Sequence, residues 1–176
     1  MKKYELELSF IDPSLWYSRT LSVNSKKWKE IRQIILKRDN YACSFCGIRL
    51  SKYMVVDHIS GDASDNSFEN LRLNCKACDR IRHCGLAEIN TEICLGISKL
   101  SQTEIVKKTH QFYLKYGKNP NPIKIDPNFY LVNSKTISCF EIAELRMKNG
   151  VYKEKYKDFK GFFTENMDFS YLKWII

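Results

Sequence analysis

The sequence lacks the features that mark membrane, secreted and low-complexity proteins. No apolar run approaches the roughly 18 residues that a membrane span requires. Met1, Lys2 and Lys3 are followed by acidic Glu5 and Glu7 and not by an apolar segment, so we expect no secretory signal peptide. The chain has no internal repeats and no low-complexity tail. From these absences we expect a cytoplasmic protein without a membrane span.

The composition is that of a basic chain that can fold. Of its 176 residues, 44% are hydrophobic and 13% are aromatic, which supplies a packed core and argues against wholesale disorder. The length predicts one domain or one and a half. The formal net charge of +9 favours a polyanionic partner such as DNA, and it also suits an acidic protein partner.

Four of the seven cysteines form two pairs of equal spacing, Cys43/Cys46 and Cys75/Cys78. Two such Cys-x-x-Cys turns supply the four soft ligands of a closed, tetrahedral structural zinc site. Two disulfides or four unrelated reduced thiols are the alternatives. The gap of 28 residues between the pairs exceeds the roughly 15–20 of a simple zinc ribbon, so the inserted segment must form structure of its own.

The other cysteines fit a reducing compartment. Cys84, Cys94 and Cys139 are expected to be buried as small hydrophobes, with a spare metal contact as the alternative for Cys84.

The inserted segment predicts a hairpin followed by a helix. Residues 52–59 are apolar and β-branched, so they predict a strand that ends by presenting Asp57 and His58 on opposite faces. A polar loop over 61–69 leads to Asn70 and a second strand over 71–74. A helix is predicted from about residue 77, and on it Asp79 and His83 share one face.

These residues resemble the HNH (ββα-metal) endonucleases, with Asp-His on a strand, then Asn-Leu, then a helix carrying ligands four apart inside a four-cysteine frame. The resemblance implies that His58 is the general base and that Asn70 pins the loop and orients it. It implies that Asp57, Asp79 and His83 hold one divalent ion. Family members commonly have His where Asp79 stands, and a carboxylate there favours magnesium or manganese.

Structural interpretations of the same residues remain open. His58 can instead be a structural histidine at a strand end, with its ring nitrogens hydrogen-bonded within the fold. Asp79 is also explained as a cap near a helix N-terminus, and His83 as a residue near a helix end. Asn70 precedes a strand, where its side chain can close a loop.

The first half of the chain also resembles DotN (IcmJ), a component of the type IVB secretion coupling complex. The likeness rests on the motifs YELEL at 4–8, LWYSR at 15–19 and RDNYACSFCG at 38–47, and continues through Gly61-Asp62, Asn70-Leu71 and the second cysteine pair. That family implies an HNH-like zinc fold used as a scaffold without the nuclease residues. This chain differs because Asp57, His58, Asp79 and His83 are all present.

Outside the metal segment the patterns are ordinary. Residues 4–10 alternate like a half-buried strand, and 16–23 form a candidate return strand. An amphipathic helix is predicted over 26–38, with its buried face made of Trp28, Ile31, Ile34 and Ile35. A capping box opens a helix at 101–116, Gly117 stops it, and 119–122 is a loop. A further helix is predicted over 135–148.

The last stretch, 151–176, alternates lysines with aromatic residues. Such a pattern can stack on nucleic acid, but docking onto the core or onto a protein partner is the favoured interpretation. His110 lies at helical spacing between apolar residues and is interpreted as structural.

We therefore predict an α+β fold: a small zinc-stapled ββα-metal core with an N-terminal strand and helix and a mostly helical C-terminal extension. Residues 1–95 are assigned to the HNH-like zinc domain, with the metal core at 43–85, and 96–176 to the aromatic-rich region. The predicted function is a metal-dependent HNH endonuclease that cuts DNA, with structural zinc and one catalytic magnesium or manganese ion. The alternative is a DotN-like adaptor without activity.

Overall fold

The chain folds as a mixture of helices and two small antiparallel sheets, in a computed structural model that describes residues 3–8, 18–132 and 158–176. The mixed α+β class is as predicted. The helices are α1 Lys26–Arg38, α2 Lys76–Arg82, α3 Cys84–Ile89, α4 Gln102–Tyr116 and α5 Pro122–Ile125. The strands are β1 Val55–His58, β2 Leu71–Asn74, β3 Ile93–Ile97, β4 Tyr130–Leu131 and β5 Phe159–Phe163, and a 3₁₀ helix spans Ser170–Trp174.

The inserted segment between the cysteine pairs forms the predicted hairpin and helix. Strand β1 is shorter than the predicted 52–59, and it pairs antiparallel with β2 so that Asp57 lies opposite Arg72 and His58 opposite Leu71. Helix α2 follows β2 directly. It ends at Arg82, and His83 is its C-cap, whose backbone N–H donates to the Asp79 carbonyl. The residue that was predicted on the helix therefore lies at its end, one turn after Asp79.

Helix α1 has the predicted bounds and begins at Ser25, whose hydroxyl accepts a hydrogen bond from the Trp28 N–H. Trp28, Ile31 and Ile35 are buried as predicted, whereas Ile34 is 50% exposed, so its assignment to the buried face was wrong. Leu36 is buried instead, because at 3.6 residues per turn it lies about 80° around the helix from Trp28, whereas Ile34 lies about 120° away on the other side.

The predicted N-terminal strand is absent from residues 3–8, and no strand forms over the described part of 16–23. The alternation is nevertheless real, because Leu6 is buried while Tyr4 and Leu8 are partly buried against the core. The Tyr4 N–H donates to the Ser44 carbonyl at 3.1 Å. A period of two predicts which side chains face inward, but a strand also needs a neighbouring backbone to form a ladder with it.

The C-terminal half adds strands as well as helices, so its description as mainly helical was incomplete. Strand β3 lies between β4 and β5 in a three-stranded antiparallel sheet. Helix α4 carries the predicted capping box between Ser101 and Glu104, and Gly117 ends it with a left-handed φ of 67°. Residue 122, predicted as loop, begins α5. The predicted helix at 135–148 lies outside the described residues.

The sheet formed by β3, β4 and β5 crosses the predicted domain boundary at 95/96, since β3 contains residues on both sides of it. The division into two domains stays a prediction. Phe162, Phe163, Phe169 and Tyr171 are buried, which agrees with the interpretation that these aromatic residues dock onto the core. Cys84 is buried and Cys94 partly buried, whereas Cys139 lies outside the described residues.

Candidate functional site

The first cysteine pair lies in a tight turn. The Cys43 N–H donates to the Ile48 carbonyl at 2.8 Å, and the Gly47 N–H donates to the Cys43 carbonyl at 3.0 Å. Gly47 adopts a φ of +80°, a conformation that glycine takes without steric cost. The second pair lies at the start of α2, where Cys75 is the N-cap and Cys78 follows in the first turn. The first pair is thus held by the backbone hydrogen bonds of a turn, and the second by those of the first turn of α2.

The four sulfur atoms converge, with all of them within 4.8 Å of one another. The Sγ atoms of Cys46 and Cys75 are 3.7 Å apart. Tetrahedral zinc with Zn–S bonds of about 2.3 Å places its sulfurs roughly 3.8 Å apart, whereas a disulfide requires about 2.05 Å. All four cysteines are free of disulfides. The cluster is therefore consistent with zinc, and the disulfide alternative is wrong.

The C-terminal half reaches the cysteine cluster through His110 and Tyr171. The His110 Nε2 atom and the Tyr171 hydroxyl are 2.9 Å apart, and both side chains are buried. The pKa of the Cys46 thiol is lowered by its neighbouring cysteines and, to a smaller extent, by His110. Burial raises the pKa of the Tyr171 hydroxyl well above its usual value. This agrees with the structural interpretation of His110, although helical spacing alone contained no sign that it would meet a cysteine.

A second cluster of possible ligands consists of Asp57, Asp79 and His83. Asp57 is its most enclosed carboxylate, with a side chain only 1% exposed. Its Oδ2 atom accepts hydrogen bonds from Arg72 Nε at 2.9 Å and from Asn74 Nδ2 at 3.0 Å. Arg82 Nε lies 3.5 Å from the same oxygen. Burial opposes ionisation, but the hydrogen bond from His83 and the charges of Arg82 and Arg72 outweigh it and hold the pKa of Asp57 well below its usual range.

Because Oδ2 is held by these donors, the Oδ1 atom of Asp57 faces the other two residues of the cluster. His83 Nε2 lies 3.5 Å from Asp57 Oδ1 and 3.8 Å from Asp79 Oδ1. Burial raises the pKa of the Asp79 carboxyl. Burial lowers the pKa of His83, but its hydrogen bond with Asp57 and the charges of both aspartates outweigh this, and the net effect is a raised pKa.

Asp57, Asp79 and His83 form a group whose ligand atoms all lie within 4.8 Å of one another. An ion bound at about 2.0–2.2 Å to each atom needs separations of roughly 3 to 3.6 Å. The distance from His83 to Asp57 falls within that range, and the distance from His83 to Asp79 lies slightly above it. Two carboxylate oxygens and one imidazole nitrogen can hold a divalent cation such as magnesium or manganese.

His58 follows Asp57 at the end of β1 and is 6% exposed. Its ring stacks on Trp28, with centroids 5.9 Å apart and an angle of 18° between the planes. Its Nε2 atom lies 3.3 Å from Asn66 Oδ1. Neither partner was predicted from the sequence, because both depend on how α1 and the polar loop fold over the end of β1.

Asn70 closes the polar loop, as one interpretation of the sequence proposed. Its Oδ1 accepts from the Ser60 N–H and its Nδ2 donates to the Asp65 carbonyl, both at 2.9 Å. The side chain thus bridges the two ends of the loop that carries Asn66. Asn70 does not itself line the cleft described next.

A cleft of about 230 Å³ brings the predicted residues together. It is lined by Asp57, His58, Asp79 and His83, together with Arg19 and Arg80. Arg80 is engaged with Glu92 and Asp79. Arg19 lies over the Trp28 ring at 5.4 Å, and no ion pair joins it to a carboxylate in the described parts of the chain. The sequence analysis missed Arg19, which precedes α1 and reaches the cleft only through the fold.

Hydrogen bonds between 18–20 and 62–66 hold Arg19 at this position. The Ser18 hydroxyl donates to Asp62 Oδ1 and accepts from the Ala63 N–H, each at 3.1 Å. Asn66, the partner of His58, donates to the Thr20 hydroxyl at 3.1 Å. The segment before α1 and the polar loop therefore form one wall of the cleft.

Comparison with known proteins gives a partial likeness. No protein-family profile matches the sequence. Over 96 residues, or 52% of this chain, the sequence is 34% identical to Zorya protein ZorE of Escherichia coli. The match covers 26% of ZorE, so this chain spans about a quarter of the length of that protein. The likeness lends no support to the predicted role in type IV secretion.

Within the described residues, no helix has the length and apolarity needed to cross a membrane.

Proposed function

We propose that this protein is a metal-dependent endonuclease of the HNH type that hydrolyses DNA phosphodiester bonds, with its four cysteines holding structural zinc. The observation that carries the proposal is the convergence of Asp57, Asp79 and His83 in a cleft that His58 also lines. A histidine base beside a divalent-cation site is the combination that hydrolysis of a phosphodiester needs.

In this proposal His58 takes the proton from the attacking water. The hydrogen bond with Asn66 is satisfied when Nε2 carries a proton and donates it to Oδ1, which leaves Nδ1 as the acceptor. Stacking on Trp28 fixes the plane of the ring. His58 therefore has a held orientation and one nitrogen available as a general base.

Asn70 acts as a positioning residue. By bridging Ser60 and Asp65 it sets the shape of the loop that presents Asn66 to His58. These hydrogen bonds support the role that the family resemblance implied, in which Asn70 stands behind the base and away from the substrate.

Asp57 Oδ1, Asp79 Oδ1 and His83 Nε2 are the atoms that would hold the divalent ion. When bound, the ion supplies positive charge that stabilises the phosphate as negative charge develops on it. Arg19 adds a guanidinium on the same cleft, suited to a phosphate oxygen. The formal net charge of +9 assists the approach of a polyanion.

The test is cleavage of supercoiled plasmid by the purified, zinc-loaded protein, with and without added magnesium or manganese, beside His58→Ala. We expect cleavage that requires the added ion and falls by at least about 100-fold in the variant, as general-base removal commonly causes. Zinc content and melting temperature should match those of the wild type. The matched control is Asn128→Ala, a polar change on an exposed turn outside the cleft.

Cleavage that survives in His58→Ala would contradict the role of this residue. Absence of cleavage by folded, zinc-loaded wild-type protein with either ion would contradict the nuclease, and would favour the adaptor that the sequence offered as the alternative.

A further inference from the structure

A basic and aromatic surface forms where the first cysteine turn meets the C-terminal 3₁₀ helix. Leu50 and Ile175 form an antiparallel bridge. The Ser51 N–H donates to the Trp174 carbonyl at 2.9 Å, and the Ile176 N–H donates to the Arg49 carbonyl at 3.2 Å. Backbone pairing therefore holds residues 49–53 and 173–176 side by side. We call five of their side chains the Tyr53–Trp174 surface: the exposed Arg49, Lys52, Tyr53 and Lys173, and the half-buried Trp174.

The charge on the Tyr53–Trp174 surface has one sign. Residues 49–54 and 169–176 contain three basic residues and no acidic residue. Lys52 Nζ lies 3.9 Å from the centre of the Trp174 ring, and Lys173 Nζ lies 5.8 Å from it. Lys52 and Lys173 are both exposed. The surface therefore combines ammonium groups with an aromatic platform and suits a polyanion that carries flat apolar groups.

Tyr53 is held on this surface in an unfavourable backbone conformation. Its φ is +64°, in the left-handed region that a bulky residue rarely adopts, and its side chain is 59% exposed. Tyr41 also has a positive φ, but its side chain packs against the core. Tyr53 has no comparable burial to offset the strain. Such strain at an exposed aromatic residue is typical of functional positions.

We propose that the Tyr53–Trp174 surface binds single-stranded nucleic acid. A base stacks on the exposed Tyr53 ring, 6.4 Å from the Trp174 ring, and Lys52 and Lys173 contact the adjoining phosphates. A duplex hides the faces of its bases, so the surface discriminates in favour of a single strand. This binding goes beyond the nuclease proposal and does not depend on it.

The Tyr53–Trp174 surface lies near the cleft, so one single-stranded nucleic acid could contact both. Tyr53 stands two residues before β1, and β1 ends at His58 on the cleft. The four residues of β1 span roughly 10 Å. A single strand held at Tyr53 is thereby brought close to the Asp57, Asp79 and His83 cluster.

The experiment measures fluorescence anisotropy of labelled oligonucleotides about 12 residues long, within the site sizes of single-strand binders, without added magnesium or manganese. The probes are oligothymidylate, oligouridylate and a duplex of the same length. The variants are Tyr53→Asn, which removes the ring and suits a positive φ, and Lys52→Gln. The matched controls are Tyr130→Ala, whose ring is 69% exposed on β4, and Lys99→Gln.

We expect the wild type to bind a single strand more tightly than the duplex, and Tyr53→Asn to weaken single-strand binding by at least about fivefold. The melting temperature of Tyr53→Asn should be equal to or above that of the wild type, since the strain is relieved. The controls should bind within about twofold of the wild type, as surface changes outside a site do. The thymidylate and uridylate probes distinguish DNA from RNA.

Equal single-strand affinity of Tyr53→Asn and wild type would overturn the proposal, as would a Tyr53→Asn protein that loses duplex binding to the same extent as single-strand binding. These outcomes are independent of the plasmid assay. If the wild type cuts plasmid and Tyr53→Asn binds oligonucleotides normally, the nuclease proposal stands and this surface is excluded. If the wild type does not cut plasmid but Tyr53→Asn loses single-strand binding, this surface stands and the nuclease proposal is excluded.

Discussion

The cysteine cluster and the Asp57, Asp79 and His83 cluster are both groups of ligand atoms within 4.8 Å, but they differ in how their charge is balanced. Burial raises the pKa of Cys75 and Cys78 well above the usual value, and the Cys43 and Cys46 sulfurs raise both further. The pKa of Asp57, by contrast, is held low because the hydrogen bond from His83 and the charges of Arg82 and Arg72 outweigh its burial. The first cluster needs a cation from outside, whereas the second already has cations from the chain.

This difference assigns different work to the two sites. Bringing four buried thiols together as thiolates is favourable only with a bound metal, so zinc binding and folding should be coupled. The carboxylate of Asp57 is compensated whether or not a divalent ion binds, so the second cluster should fold without one. We therefore expect zinc removal to destroy the fold and removal of the second ion to affect only activity.

The largest expected effect is that of Cys75→Ser. It removes one of the four sulfurs at the N-cap of α2, beside Leu73 and Ala77 in the core. Structural zinc contributes on the order of 10 kcal/mol to small zinc domains, which is comparable with the whole stability of a domain. We expect loss of bound zinc and of cooperative thermal unfolding, measured by metal analysis and circular dichroism.

Cys94→Ser is the matched control, because Cys94 lies on β3 and is only partly buried. It should keep one bound zinc ion and the melting transition. A Cys75→Ser protein that melts like the wild type would remove the structural role of zinc.

An intermediate effect is expected from Arg72→Met, which probes the balance at the second cluster. Arg72 is 6% exposed and lies within 2.8 Å of Asp57, so its loss leaves a buried carboxylate without its closest cation. Breaking a buried pair in this way costs about 3–5 kcal/mol in the free energy of unfolding. Urea unfolding at pH 7 measures this loss. Lys29→Met, which removes an exposed charge on α1, should change the free energy by less than about 0.5 kcal/mol.

The same pair predicts a dependence on pH. The pKa of Asp57 is lowered on folding, so its contribution is fully present above the unfolded pKa of about 4 and is lost as the pH falls through the folded value. Wild-type protein should therefore lose stability below about pH 4, and the loss should be smaller in Arg72→Met. An unchanged acid profile in the variant would show that Arg72 does not hold the carboxylate in its charged form.

How far the sequence predicted the molecule follows from the range of each interaction. The capping box at Ser101 and Glu104, the α1 bounds and the two cysteine turns are set within a few residues, and the structure confirms them. Such signals lie in the residue types themselves. The convergence of Asp57 with Asp79 and His83 was predicted from the family resemblance, whose spacing already encodes a three-dimensional arrangement.

The missed features depend on contacts between distant segments. Arg72 meets Asp57 because the two lie opposite each other across β1 and β2, a register that a long intervening loop does not specify. Trp28, on α1, stacks on His58 at the end of β1. Tyr171, near the C-terminus, is hydrogen-bonded to His110. No local pattern marks such partners, so the groups that hold the site were less predictable than the groups that form it.

The smallest effect on stability and the most selective effect on function are expected from Asp79→Asn. Burial raises the pKa of this carboxyl, so its ionised form is disfavoured by folding, and a neutral amide of the same shape should leave the free energy of unfolding at pH 7 unchanged or slightly higher. The amide is a weaker ligand than the carboxylate, so the manganese concentration for half-maximal binding should rise by at least about tenfold.

Electron paramagnetic resonance of free manganese measures the binding without any cleavage assay. The control is Asp158→Asn, whose side chain is 46% exposed and lies outside the cleft. His83 supplies a second readout. Its raised pKa keeps part of the imidazole protonated near pH 7, so wild-type protein should release protons on binding manganese, and affinity should fall as the pH falls. Undiminished manganese binding by Asp79→Asn would exclude Asp79 from the ion site. The second cluster would then be a buried ion pair and not a metal site, beside a cysteine cluster that binds structural zinc.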